Sequence, residues 1–323
     1  MEFVITPRDL MTALQPVMGI LPQRSTLPIL SHLLLEAKRG VITVSATDLE
    51  VSILSELPVD VSTPGAIALP GRKFVEVIRE LPGDLPLRIE VDGGIAIISC
   101  DVGVYRILGL PKEDFPRLPE IPPSDGEVEI NGPLLRRMVD KTIFATSKDE
   151  TRPVLNGVLW EMRRDGMRMV ATDGHRLAWI TCYTEGGERE RRVIIPHKAL
   201  SLLQRFISED TRCRVAIGEN HIAFILPQVT LFSRLIEGPF PPYEEVIPRD
   251  NDKKLIIDKD ALMASLRRVS ILSDSITHLV RFSLKAERIQ LYATDRELGG
   301  EAREEIPAEY HGEAMDIGYN AQY

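Results

Sequence analysis

The apolar positions change period several times along the chain, and each change marks an element. Residues 2–5 alternate as a short strand, and Thr6-Pro7 then supplies a capping hydroxyl followed by proline at the first helical position. Leu10, Leu14 and Val17 recur at i, i+4 and i+7, which predicts a helix over 7–19, with Pro16 expected to kink it or end it early because it removes a backbone donor. Strands at 31–36 and 41–46 flank the turn Lys38-Arg39-Gly40, and the second runs into Thr47-Asp48. A further strand pattern covers 51–61, and Pro70-Gly71 opens a helix over 71–81 with Phe74, Val77, Ile78 and Leu81 on one face. Short strands at 87–91, 95–100 and 104–108 close the unit, the first two joined by the hairpin turn Asp92-Gly93-Gly94. The segment 111–123 holds five prolines and reads as an ordered linker.

The same order then returns at an offset of 125: Thr6 maps onto Asn131, Leu10 onto Leu135, Pro28 onto Pro153, Glu36 onto Glu161, Thr47-Asp48 onto Thr172-Asp173, and Phe115-Pro116 onto Phe240-Pro241. Helices are predicted over 132–144 and 197–208, and Pro239-Phe240-Pro241-Pro242-Tyr243 is a second proline-rich linker. A third start has a strand at 255–257, Asp258 as cap, a helix over 259–272 striped by Leu262, Leu266 and Val269, and a hairpin over 280–293 running into Thr294-Asp295. Tyr319-Asn320 falls where Ile195 meets Pro196, so the third unit has no counterpart of residues 200–248 and reads as incomplete. The expected domains are 1–122, 123–248 and 249–323.

Composition narrows the class without naming a function. At 44% hydrophobic and 27% charged, the 323 residues suit a folded protein rather than a disordered one. The start has no basic region followed by an apolar one, and no apolar run is long enough to span a bilayer, so a cytoplasmic location is expected. Cys100, Cys182 and Cys213 form no CxxC pair and are read as reduced thiols. The formal net charge is -9, yet the five predicted helices carry twelve Lys and Arg against five Asp and Glu. Base is therefore gathered on helices and acid elsewhere; if the helices share one side, that side attracts phosphate.

Three copies also sort the candidate chemistry. Thr-Asp occurs in all of them, and a strand entering a tight turn needs a side-chain oxygen for its free backbone N–H groups, so Asp48, Asp173 and Asp295 read as architecture. Gly174-His175-Arg176-Leu177 belongs to the second copy alone. Glycine lets another backbone approach, and His175 and Arg176 beside Leu177, Leu155 and Trp179 make a mixed surface suited to a peptide. A metal-dependent hydrolase built on Asp48, Asp173, His175 and Asp295 is disfavoured, because the third copy lacks the histidine and the spacings are wide. A repeat scaffold that binds peptides without DNA is the other rival.

Arg24-Ser25-Thr26-Leu27-Pro28-Ile29-Leu30, Ala46-Thr47-Asp48-Leu49-Glu50, Arg152 with Leu155-Asn156-Gly157, the run from Ala171 to Leu177, Phe240-Pro241 and Gly318-Tyr319-Asn320 together resemble the bacterial sliding clamp, the beta subunit of the replicative DNA polymerase III holoenzyme. The resemblance covers the whole chain. It implies an α+β fold of three clamp domains, each with two helices and two antiparallel sheets, the third incomplete, joined head to tail as a ring dimer around double-stranded DNA. The implied function is that of a DNA polymerase processivity factor, not an enzyme, with no cofactor and no metal. Partners would be duplex DNA without sequence specificity, and the replicative polymerase, clamp loader and repair proteins through short linear motifs. By the same resemblance Leu155, Thr172, Gly174, His175, Arg176, Leu177, Pro241 and Val246 would line the partner-peptide cleft, with Glu245 where a base is common. Arg24, Lys148, Arg152 and Lys198 would contact DNA, with Pro153 and Val154 where aromatic residues often stand. Lys73, Tyr105 and Ile107 would meet Ile271, Leu272, Glu301 and Glu304 of a second copy.

Overall fold

A computed structural model describes residues 1–22, 26–122, 127–183, 190–295, 297 and 299–323. Arg24, expected at DNA, lies outside the described residues. The chain divides into two compact units, Met1–Pro241 and Pro242–Tyr323.

Unit 1 contains the motif twice. The first copy runs β1 (Glu2–Ile5), α1 (Pro7–Met18), β2 (His32–Lys38), β3 (Val41–Thr47), β4 (Val51–Pro58), β5 (Val61–Thr63), β6 (Gly65–Pro70), α2 (Gly71–Glu80), β7 (Leu87–Asp92), β8 (Ile95–Cys100) and β9 (Gly103–Leu108). The second runs β10 (Val128–Asn131), α3 (Gly132–Asp140), β11 (Gly157–Arg163), β12 (Gly166–Thr172), β13 (Leu177–Tyr183), β14 (Arg191–Pro196), α4 (His197–Leu203), β15 (Arg212–Ile217), β16 (His221–Ile225) and β17 (Val229–Arg234). Unit 2 holds β18 (Leu255–Ile256), α5 (Lys259–Val269), β19 (Leu279–Lys285), β20 (Arg288–Asp295), β21 (Gly300–Pro307), β22 (Glu309–Tyr310) and β23 (Met315–Asn320).

One sheet order occurs in every copy: β6-β2-β3-β4, β14-β11-β12-β13 and β23-β19-β20-β21, antiparallel throughout. In unit 1 the first copy does not end at its own edge. β4 pairs antiparallel with β17, Ser55 opposite Val229 and Val51 opposite Ser233, so strands of both copies form one eight-stranded sheet. Helices α1 to α4 pack on strands of these sheets. Leu10, Leu14, Val17, Phe74, Ile78, Leu135, Met138, Leu200 and Leu203 are fully buried in one core, where Trp160 stacks on Phe224 at 6.3 Å. The first helix of each copy is capped as its sequence suggests, by the side chains of Thr6, Asn131 and Asp258.

Several helix ends differ from the pattern reading. α1 does not stop at Pro16 but continues to Met18. Proline there withdraws one donor from the last turn, and packing of buried Val17 holds the turn in place. α3 ends at Asp140 rather than 144, because the Thr142 hydroxyl donates to the carbonyls of Met138 and Val139 and takes over the helix terminus. α4 stops at Leu203, where Arg205 and Phe206 switch to the carbonyls three residues back, and α5 tightens into a 3-10 turn, Ser270–Leu272. The strand expected over 51–61 divides into β4 and β5. Cys100, Cys182 and Cys213 are free thiols, and burial pushes Cys213 up to about 12.

Unit 2 has its own core around Val269, Val280, Leu291 and Tyr310. α5 is tied to β21 by Glu304, whose carboxylate accepts both Arg268 Nε at 2.7 Å and Nη2 at 2.5 Å, and the Ser265 hydroxyl at 2.6 Å. The Arg268 bonds, then the Ser265 bond, hold this carboxyl at about 2 against an ordinary 4.5. A depressed carboxyl stabilises the fold above its unfolded value and loses that contribution as pH falls toward the folded one. Unit 2 is therefore expected to melt earlier at about pH 3 than at about pH 6. Followed by near-ultraviolet circular dichroism, Arg268→Ala should flatten that dependence.

Candidate functional site

The turn between β12 and β13 is built by two side chains. Thr172 Oγ1 donates to the Arg176 carbonyl at 2.7 Å and accepts the Gly174 N–H at 3.1 Å. Asp173 Oδ1 accepts the N–H groups of His175 at 2.9 Å and Arg176 at 3.0 Å, while its Oδ2 accepts Arg176 Nε at 3.0 Å. Burial raises the Asp173 carboxyl, but these two backbone donors and the Arg176 side chain outweigh it and hold the group below its ordinary value. It stays charged at neutral pH.

The first copy makes the same turn. Thr47 Oγ1 accepts the Leu49 N–H, and Asp48 Oδ1 accepts those of Glu50 and Val51. In the third, Asp295 Oδ1 accepts the Glu297 N–H. The shared Thr-Asp is thus a turn device. Gly174 sits at φ +93°, and its counterpart Leu49 is also left-handed at φ +77°. The conformation belongs to the turn; glycine at 174 removes the strain that Leu49 carries in the first copy, besides keeping the backbone approachable.

What the second copy adds is a set of contacts to the segment from Phe144 to Leu155. Arg176 Nη2 donates to the Phe144 carbonyl at 2.5 Å, and its guanidinium carbon lies 5.7 Å from the Phe144 ring centre. Arg152 Nε donates to Asp149 Oδ2 at 3.0 Å, and a Cβ placed on Gly174 would stand 3.1 Å from Arg152 Nη1. The Ser147 N–H reaches the Leu155 carbonyl at 2.8 Å and closes the segment on itself. Phe144 escaped the pattern reading because its contact runs through a backbone carbonyl 32 residues from Arg176. No signal in the local sequence marks that bond.

The structure treats the expected peptide residues unequally. Thr172, Gly174, His175, Arg176 and Leu177 are contiguous on the turn, and Leu155 is buried at 5% exposure. Pro241 is exposed at the end of unit 1, and Val246, 70% exposed, belongs to unit 2. Among the expected DNA cations, Lys148 is exposed and has no hydrogen-bond or ion-pair partner among the described residues. Lys198 is not free: its ammonium pairs with Asp48 of the first copy. Lys148, Arg176, His197, Lys198 and Arg234 line one pocket of about 730 Å³. Burial, followed by the charge of Lys148, depresses His197 despite an opposing backbone bond at Ile143.

The helix cations remain on the surface. α1, α2, α3, α4 and α5 carry ten of the twelve bases counted in the longer predicted helices, all exposed. Lys73, Arg79, Arg137 and Arg267 have no polar partner among the described residues, whereas Arg8 pairs with Asp84 and Arg268 with Glu304. At the expected dimer contacts, Ile271 is 77% exposed and Leu272 is 37% exposed. Tyr105 and Ile107 on β9 are half-buried. No helix of the described residues is long and apolar enough to cross a membrane.

Residues 1–119 match the family described as DNA polymerase III beta subunit, N-terminal domain, residues 129–242 its central domain, and residues 244–323 its C-terminal domain. The beta sliding clamp of Pseudomonas putida is 33% identical over 326 residues, spanning all of this chain and 88% of its own length. The crystal structure of the DNA polymerase III subunit beta from Pseudomonas aeruginosa superposes with a TM-score of 0.94 at 33% identity, covering 99% of this chain and 88% of that one. A second Pseudomonas aeruginosa clamp structure, bound to griselimycin, gives 0.93 at 33% identity, covering 99% and 87%.

Proposed function

The chain belongs to the DNA polymerase III beta subunit family, the bacterial sliding clamps, and from that premise we propose how its residues serve a processivity factor that encircles duplex DNA. The observation that carries this reading is the β4–β17 junction. β21 occupies in the third copy the place of β4 in the first, and β9 occupies in the first the place of β17 in the second. Both are edge strands with no partner on their outer side among the described residues. Closing β9 of one chain on β21 of another, and the reverse, makes a head-to-tail dimer from one kind of junction. Carrying over the observed register sets Arg106 opposite Glu301 and Gly103 opposite Glu304. The first is an opposite-charge cross-strand pair, with Tyr105 and Ile107 beside it and Lys73 at its rim. Ile271 and Leu272 supply the apolar centre. Glu304, already held by Arg268 and Ser265, contributes shape more than charge.

Exposed, unpartnered helix cations suit a lumen that holds DNA through a loose ionic atmosphere. Bases that gripped single phosphates would stop sliding. Lys148 and Arg152, and Arg24 of the first copy, are assigned to the same role; Lys198 acts there only after leaving Asp48. The turn Thr172–Leu177 with Leu155 and Pro241 is assigned to the short motifs of the polymerase, clamp loader and repair proteins. The deciding experiment is topological. Protein loaded on a nicked circle and then freed by linearisation, at salt that leaves the circular complex intact, fits a ring; equal retention on circle and line overturns it.

A further inference from the structure

We propose that Phe144 and Asp149 are positioning residues that join the cation assigned to DNA, Arg152, to the turn assigned to partner peptides, so that duplex and peptide are coupled ligands. The inference rests on the assignments just made. Asp149 fixes Arg152 from one side: its Oδ2 accepts Arg152 Nε at 3.0 Å, while its Oδ1 is occupied by the Thr151 N–H and hydroxyl at 3.0 and 2.7 Å. So held, Arg152 leans over Gly174, its Nη1 3.1 Å from where a Cβ would stand. Phe144 fixes the other side, its carbonyl accepting Arg176 Nη2 and its ring lying beneath the same guanidinium. Asp173 in turn holds Arg176 Nε and the backbone of the turn. The segment 144–155 is therefore clasped to the turn at two points, and the Ser147–Leu155 bond keeps its ends together.

Arg152 has two competing uses in this arrangement. Against Asp149 it covers Gly174, the residue whose missing side chain makes the turn approachable. A phosphate that draws the guanidinium outward uncovers that backbone, so duplex favours peptide. By linkage, peptide favours duplex by the same factor. Asp149 sets the resting position, and Phe144 keeps Arg176 and the turn from following Arg152 when it leaves.

The test measures a fluorescent peptide from the polymerase's own clamp-binding segment by anisotropy, with and without a short duplex, on the whole chain. Wild type is expected to bind the peptide about fivefold more tightly with duplex present. Arg152→Ala should bind it without duplex as tightly as wild type does with it, and should show no further gain. Asp149→Asn should give part of that gain, and Asp149→Glu should restore the duplex dependence. Phe144→Ala should weaken peptide binding with and without duplex, and Phe144→Tyr should recover it. Equal peptide affinity in wild type with and without duplex, both ligands binding, overturns the coupling and leaves the assignments standing. Absence of binding by either ligand overturns the assignments and the coupling with them.

Discussion

Ile271→Ala combined with Leu272→Ala is expected to convert the proposed dimer to monomer. Ile271 is 77% exposed and Leu272 37% exposed beside β21, an edge strand that occupies the place of the paired β4. In the β4–β17 junction the edge is closed by backbone pairing, and the side chains of both strands are largely buried there: Val51, Ile53 and Leu231 are 0–1% exposed. If β21 and β9 close in the same way, Ile271 and Leu272 pass from water into a packed centre. Truncating both removes roughly 3 kcal/mol of burial from one junction. A two-fold dimer contains the junction twice, so the loss is about 6 kcal/mol, or some four decades in dissociation constant. Sedimentation or light scattering at micromolar protein should show dimer for wild type and monomer for the double variant. Dimer mass in both, or monomer in both, would remove β9 and β21 as the junction. Arg106→Ala should weaken the dimer by less, since an exposed ion pair contributes about 1 kcal/mol or below at each of the two junctions.

Much of this architecture was legible because repetition turns a weak local signal into a strong one. A single Thr-Asp before a turn says little. Three of them at nearly constant spacing give the copies, and the caps Thr6, Asn131 and Asp258 give the same helix in each. Hairpin strands could be read because alternation and turn residues are local. The β4–β17 pair could not, because neither strand's sequence names a partner some 180 residues away. It is nevertheless the contact on which the ring reading turns. Helix ends failed for a related reason: Thr142 and the packing of Val17 decide where α3 and α1 stop, and propensity speaks only weakly against such contacts. At the site, composition showed Lys198 as one more helix cation, and only the fold reveals Asp48 of the other copy against it. Likewise Arg152 and Arg176 were visible as charges, but what holds them, Asp149 and the Phe144 carbonyl, was not.

Asp173→Ala and Asp48→Ala should separate architecture from function, since the same side chain makes the same turn in two copies. Each accepts two backbone N–H groups through Oδ1 and a cation through Oδ2: Arg176 for Asp173, Lys198 for Asp48. Removing either leaves two donors and one cation without their acceptor, a loss of about 2–3 kcal/mol when a capping oxygen and a charge-assisted bond go together. Both variants should therefore lower the unfolding midpoint of unit 1 by similar amounts. Their peptide affinities should diverge. Asp173→Ala releases Arg176 from the carboxylate that holds its Nε and lets the Gly174–Leu177 backbone wander, so peptide binding should fall by tenfold or more at a temperature where the protein is still folded. Asp48→Ala disturbs a turn that carries none of the residues assigned to peptide, and affinity should stay within about twofold of wild type. Freeing Lys198 in that variant should, if anything, strengthen association with short duplexes in low salt. An equal loss of peptide affinity in the two would mean that the second copy's Gly174-His175-Arg176-Leu177 has no special claim on the partner, and that the turn acts only by holding unit 1 together.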